Sequence, residues 1–239
     1  MRLLVSVGNA AEASAALAGG ADLIDAKDPT AGTLAPVSAN VFAAIHAQVA
    51  GARPVTAAIG DAADEDAVER AAHAFGLAGA RYVKVGFAGT AAAGHVGVLT
   101  KAAVRGARAA ASEGSPCGVV AVAYADRGRS LAPFALVAEA AQAGAEGVLL
   151  DTADKSGPGL RTLMDTAALA AFVSSVHETG LFVAVAGKLA ADDLPIVRDA
   201  GADIAGVRGA ACEGGRTGQI SADRVRLLQQ SHKSRKGRP

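Results

Sequence analysis

The chain has 239 residues, of which 51% are hydrophobic but only 3% aromatic, and its 23 Lys+Arg balance 23 Asp+Glu. This length suits one large core, and the balanced charge excludes a global field directed at nucleic acid or an acidic partner. Two cysteines without CxxC spacing, Cys117 and Cys212, exclude a disulfide scaffold, and the longest charge-free run, 29–52, is too broken by proline, glycine and polar residues to span a membrane.

In chain order, Leu3–Val7 reads as a strand and not as the apolar stretch of a secretory leader. Asn9, with Glu12 three residues on, resembles a capping pair for a helix over Ala10–Leu17. A strand at Leu23–Ala26 and a helix at Val41–Val49 follow, then a strand at Val55–Ile59, a helix at Glu65–Leu77 and a strand at Tyr82–Val85. Further strands are predicted at Val119–Ala123 and Val148–Leu150, around a helix at Phe134–Gln142. The strand Phe182–Ala186, a helix at Asp193–Arg198 and the strand Ile204–Val207 complete the series, and Ser221 is placed to cap a last helix. Strands that are almost wholly apolar are covered on both faces, and their alternation with helices predicts a parallel α/β sheet.

One phrase recurs. Gly20-Ala21-Asp22, Gly79-Ala80-Arg81, Gly144-Ala145-Glu146 and Gly201-Ala202-Asp203 stand 59, 65 and 57 residues apart, each ending a helix and opening a strand. Glycine just past a helix supplies the left-handed turn that stops it. Each interval holds two βα units, so four quarters give eight strands. With no GxGxxG after the first strand to favour an open doubly wound sheet, the prediction is a single (β/α)8 TIM barrel over 1–230, with a basic, disordered tail over 231–239.

The repeat also sets side-chain direction, because strand residues two apart share a face. At offsets of five and seven from the repeat glycines stand Asp25 and Lys27, Lys84 and Gly86, Leu149 and Asp151, Gly206 and Arg208. Charges therefore gather at inward positions near the C-terminal strand ends, where a barrel enzyme places its active site. Lys27, Lys84 and Lys155 are the reactive candidates, with Asp25, Asp151 and Asp126 as carboxylate partners. Several lysines sharing one poorly solvated mouth depress one another's pKa, leaving a free amine able to condense with a carbonyl. Structural ion pairs at strand ends are the competing explanation.

Gly187 and Lys188 after the seventh strand, and Arg208 and Gly209 after the eighth, fit a phosphate grip, to which Arg216 could add charge. The expected ligand is thus a small phosphorylated molecule. The histidines lack HxH or HExxH spacing, so neither a metal nor a cofactor is expected. Cys212 reads as a small buried residue. The tail from Ser231 to Pro239 reads as solubilising, so no nucleic-acid partner and no membrane are expected. The chain is taken as cytoplasmic and homo-oligomeric.

Several stretches resemble one known family, (5-formylfuran-3-yl)methyl phosphate synthase, also called 4-(hydroxymethyl)-2-furancarboxaldehyde-phosphate synthase. They are Gly-Gly-Ala-Asp-Leu-Ile-Asp-Ala-Lys-Asp-Pro at 19–29, Tyr-Val-Lys-Val-Gly at 82–86 and Ala-Tyr-Ala-Asp at 123–126. Leu-Leu-Asp-Thr-Ala-Asp-Lys at 149–155, Ala-Gly-Lys at 186–188 and Asp-Ile-Ala-Gly-Val-Arg-Gly-Ala-Ala-Cys-Glu-Gly-Gly-Arg at 203–216 carry it to nearly the whole chain. The resemblance implies a barrel that converts two molecules of glyceraldehyde 3-phosphate into a furan aldehyde phosphate for methanofuran-type one-carbon carriers, releasing phosphate and water. It implies that Lys27 is the Schiff-base residue and Lys84 the proton acceptor, with Asp25, Asp151 and Lys155 at matching positions. On that mechanism the enamine formed on Lys27 attacks the aldehyde of the second triose phosphate. The competing functions are a class I aldolase or triose-phosphate isomerase-like enzyme, and a phosphate-binding barrel without catalysis.

Overall fold

The computed structural model describes residues 1–126, 128 and 130–233. Eight parallel strands, β1 (Arg2–Val7), β2 (Leu23–Ala26), β3 (Val55–Asp61), β4 (Tyr82–Gly86), β5 (Gly118–Tyr124), β6 (Gly147–Asp151), β7 (Phe182–Val185) and β8 (Ile204–Val207), pair in sequence order. β8 pairs with β1 and closes the predicted (β/α)8 barrel. Outside it lie α1 (Ala10–Ala18), α2 (Ala39–Val49), α3 (Glu65–Leu77), α4 (Ala93–Ser112), α5 (Pro133–Ala143), the short α6 (Leu160–Leu163), α7 (Thr166–His177), α8 (Asp193–Asp199) and α9 (Ala222–Lys233). A small antiparallel pair, β9 (Cys212–Glu213) and β10 (Gln219–Ile220), sits in the chain between β8 and α9. Ser231–Lys233 therefore belong to the last helix, and the rest of the basic tail lies outside the described residues.

The repeat does what its glycines suggested. Gly20, Gly79, Gly144 and Gly201 have φ of 89°, 98°, 82° and 94°, a left-handed region in which a Cβ is strained. Each turns the chain from a helix into an even-numbered strand, so the four quarters share one register. Apolar side chains from the strands then segregate. Leu4, Leu23, Ala58, Val120, Val122, Leu149, Ala184 and Ile204 fill the barrel interior, while the alternate positions pack against the helices in a second, larger core. The interior cluster forms an apolar floor under the C-terminal mouth.

The sequence reading named no element over 93–112, where the longest helix runs. Its buried side sets Val96, Leu99 and Val104 among the small residues Gly97, Ala102, Ala103, Gly106, Ala107 and Ala110. Gly106 serves close approach to α3: a Cβ there would lie 2.1 Å from the backbone oxygen of Glu69. Gly106→Ala is expected to destabilise the fold by about 1–3 kcal/mol in a urea melt, the overpacking cost outweighing the better helix propensity of alanine. An unchanged or higher midpoint would show that the helices can part freely.

Candidate active site

The mouth of the barrel opens into a cavity of about 370 Å³, lined by Lys27, Lys84, Asp151, Lys155, Lys188, Arg208 and Arg216 above the apolar floor. This is within the range of small-molecule sites. Asp25 lies beneath it, fully buried on β2. Its neighbours across the sheet at the same level are Ser6 on β1 and Thr56 on β3. The Ser6 hydroxyl donates to Asp25 Oδ2 at 2.9 Å and the Thr56 hydroxyl to Oδ1 at 2.7 Å. Lys84 Nζ lies 2.5 Å from Oδ2. Burial alone would raise the Asp25 pKa, but the charges of Lys84 and Lys27 and these hydrogen bonds outweigh it and hold the carboxyl below its ordinary value.

A second pair is built from β6 and the loop after it. Lys155 Nζ donates to Asp151 Oδ1 at 2.6 Å, to the Thr152 carbonyl at 2.7 Å and to the Thr152 hydroxyl at 3.2 Å. The Thr152 amide also donates to Asp151 Oδ1. Asp151 is likewise lowered: burial pushes it up, and Lys155, Lys27 and the hydrogen bonds push it further down.

Between the pairs sits Lys27, 8% exposed, whose amine makes no hydrogen bond or ion pair among the described residues. Desolvation and then the charge of Lys84 lower its pKa to about 8, against the opposing pull of Asp25 and Asp151. The arrangement thus separates two paired ammonium groups from one unpaired amine that is easily deprotonated. Such an amine can add to a carbonyl, and the flanking pairs can move protons.

Gly187, Lys188 and Gly209 also line the cavity, and among the described residues their backbone amides donate to no protein acceptor. Lys188, at φ 60°, sends its Nζ to the Gly157 carbonyl, 2.5 Å away. These groups leave donors for an anion.

Two assignments need correcting. Arg208 was expected to bind phosphate through its charge, but its guanidinium is spent inside the protein. It donates to both Glu12 oxygens, at 2.8 and 3.0 Å, and to the carbonyls of Ser6, Arg216 and Gly218. All five N–H groups have partners. Glu12 accordingly does more than cap: Asn9 accepts from the Glu12 amide, while Glu12 accepts from the Gly8 amide and neutralises Arg208. Glu12→Ala is expected to cost about 3–5 kcal/mol, because it strands a buried cation. A loss below about 1 kcal/mol in urea unfolding would hand Arg208 back to the substrate. Asp126, the second case, does not line the cavity; its carboxylate accepts from the amides of Ala153 and Asp154 and shapes the loop that carries Lys155.

The sequence reading missed the loop between β2 and α2. It crosses the mouth, with the Thr33 hydroxyl on the Ala153 carbonyl and Arg216 on the carbonyls of Pro29 and Gly32. Leu34, 2% exposed, joins the interior cluster beside Tyr124 and stoppers the side of β3 to β5. There the Tyr124 hydroxyl donates to Asp61 at 2.7 Å. A Cβ on Gly86 would fall 2.2 Å from that carboxylate and 2.7 Å from Leu34, so only glycine leaves room.

Among the described residues no group of His, Cys, Asp and Glu is placed to hold a metal, and no helix is long and apolar enough to cross a membrane. Both cysteines are free and buried.

Comparison with known proteins adds the following. The model of the 4-HFC-P synthase family matches residues 3–229. The (5-formylfuran-3-yl)methyl phosphate synthase of Methanopyrus kandleri is 40% identical over 235 residues, 96% of this chain and 98% of that one. The enzyme of the same name from Methanosarcina barkeri is 38% identical, over 95% of this chain and 97% of its own. Phosphoribosyl anthranilate isomerase from Thermus thermophilus, a solved structure, shares the fold with a TM-score of 0.64 and 16% identity, covering 97% of this chain and 98% of that one.

Proposed function

Since the chain belongs to the 4-HFC-P synthase family, we propose that it joins two triose phosphates derived from glyceraldehyde 3-phosphate into (5-formylfuran-3-yl)methyl phosphate through a Schiff base on Lys27. It does so without a cofactor, in the cytoplasm, for methanofuran-type carriers. The observation that carries this reading is the unpaired Lys27 amine, with its pKa near 8, held between the Lys84–Asp25 and Lys155–Asp151 pairs.

The steps balance as follows. Lys27 condenses with the ketone isomer of the first triose phosphate, losing water. Lys84 takes a proton from the hydroxymethyl carbon. The resulting enaminol expels phosphate from the opposite carbon, breaking C–O, and Lys155 supplies a proton to the leaving group. What remains is an enamine with a terminal nucleophilic carbon and a new aldehyde.

The substitution pattern in the name of the relatives' product revises the next step. Formyl and phosphomethyl groups at ring positions 5 and 3 require the new bond to end on the middle carbon of the second triose phosphate. Attack on a terminal aldehyde would give an unbranched chain, so the second molecule reacts at its ketone. Its hydroxymethyl oxygen then closes on the iminium carbon, Lys27 leaves, and loss of the tertiary hydroxyl as water gives the aromatic ring. Two trioses thus yield furan, one phosphate and two waters. The amides of Gly187 and Gly209, with Lys188, hold phosphate during this sequence.

The test is one incubation of the full chain with glyceraldehyde 3-phosphate, read by mass spectrometry and furan absorbance. The furan and inorganic phosphate are expected in equal amounts. A six-carbon bisphosphate without phosphate release would make the protein an aldolase instead.

A further inference from the structure

The second triose phosphate keeps its phosphate to the end, which asks for a holding group distinct from the one that sees a phosphate leave. Charge pairing in the mouth identifies a candidate. Of the six cations that line the cavity, Lys84, Lys155 and Arg208 each have a carboxylate partner: Asp25, Asp151 and Glu12. Lys27, Lys188 and Arg216 have none among the described residues. With Lys27 serving as the amine, two rim cations remain in surplus for two phosphates. They lean to opposite sides. Lys188 rests on the loop after β6, through the Gly157 carbonyl. Arg216 rests on the loop after β2, through the carbonyls of Pro29 and Gly32.

We infer that Arg216 is a specificity-determining residue, which grips the phosphate retained on the second triose. The inference rests on the furan-forming reading above. Arg208 and Arg216 come from the same segment and face the same cavity, but they are committed differently. Arg208 has no free donor, whereas Arg216 shows two bonds, both to neutral carbonyls, leaving donors of its planar fork for a phosphomonoester. A phosphate dianion is a far better acceptor than a carbonyl, so its arrival draws Arg216 from Pro29 and Gly32. Those residues lie two and five positions after Lys27 in the chain, and the exchange couples filling of the second site to the loop that crosses the mouth.

Arg216→Gln and Arg216→Lys test this in the full-length protein. Borohydride trapping of a triose phosphate on Lys27 reports the first molecule, and furan formation reports both. Arg216→Gln is expected to leave the half-saturating triose phosphate for trapping within about threefold of wild type. It is expected to raise the half-saturating concentration for furan formation by roughly tenfold or more, with Arg216→Lys recovering part of that loss. A purely structural latch would not split the two readouts. Parallel weakening of trapping and furan formation would assign Arg216 to the first molecule and overturn the inference, as would a variant indistinguishable from wild type. Thermal melts exclude misfolding. If wild type itself neither traps nor makes furan, the reading of the reaction has failed, a result recognisable without any variant.

Discussion

Lys27→Ala is expected to lower furan formation by about four orders of magnitude or more and to abolish borohydride-stable labelling, while the chain stays folded. The reason is that the other lysines of the mouth are held elsewhere, Lys188 on the Gly157 carbonyl. Lys84 and Lys155 are each committed to an aspartate at 2.5 and 2.6 Å. Stability should move the other way. The folded protein holds Lys27 at a pKa of about 8 against an ordinary value of 10.5. A base lowered on folding destabilises the native state while the unfolded chain is protonated, so wild type should gain stability as pH rises through 8 toward 10. At neutral pH the penalty is on the order of 3 kcal/mol, offset in the variant by the cavity that alanine leaves. A variant that melts at or above wild type at pH 7 yet makes no furan is the expected pairing. Labelling that persists undiminished in Lys27→Ala would falsify the Schiff-base assignment outright.

Lys84→Met should slow the reaction by roughly two to four orders of magnitude, the usual worth of a positioned proton acceptor. It should also shift the rising limb of the pH profile. Two changes act in the same direction on Lys27: a like charge disappears, and Asp25, no longer neutralised, attracts the Lys27 proton. The Lys27 pKa therefore rises above 8, and the pH at which trapping reaches half its maximum moves upward with it. The initial rate of borohydride trapping, measured from pH 6.5 to 10, reads the shift directly. A limb that stays near 8 or moves to acid would mean that Lys84 does not set the state of Lys27.

Period and repeat make the barrel legible in the sequence. The same two-residue rule that put Asp25, Lys84 and Asp151 at the mouth also passes through Ser6 and Thr56, polar interruptions in apolar strands. Reading them as inward would have supplied Asp25's hydrogen-bond partners. Arg208 was another matter. Its offset from Gly201 was read correctly, but whether a charge is free depends on what lies opposite, and Glu12, 196 residues away, carried a local helix-capping signal that hid its tertiary role. Asp126 shows the same limit: a carboxylate in a loop beside a catalytic strand looks alike whether it binds substrate or backbone amides. The loop carrying Thr33 and Leu34 has no periodicity at all, so its course across the mouth is fixed only by tertiary partners.

Leu34 has one further chemical consequence. A triose phosphate that expels its phosphate in open water becomes methylglyoxal, a promiscuous electrophile that attacks arginine and lysine side chains indiscriminately. On the proposed route the dephosphorylated three-carbon fragment is that same species, tethered to Lys27 and awaiting its partner. Leu34, buried beside Tyr124 on the side of β3 to β5, closes one route by which bulk solvent would reach and hydrolyse the tether. Its service is then containment, protecting the cell from a toxic by-product as much as speeding the bond that follows.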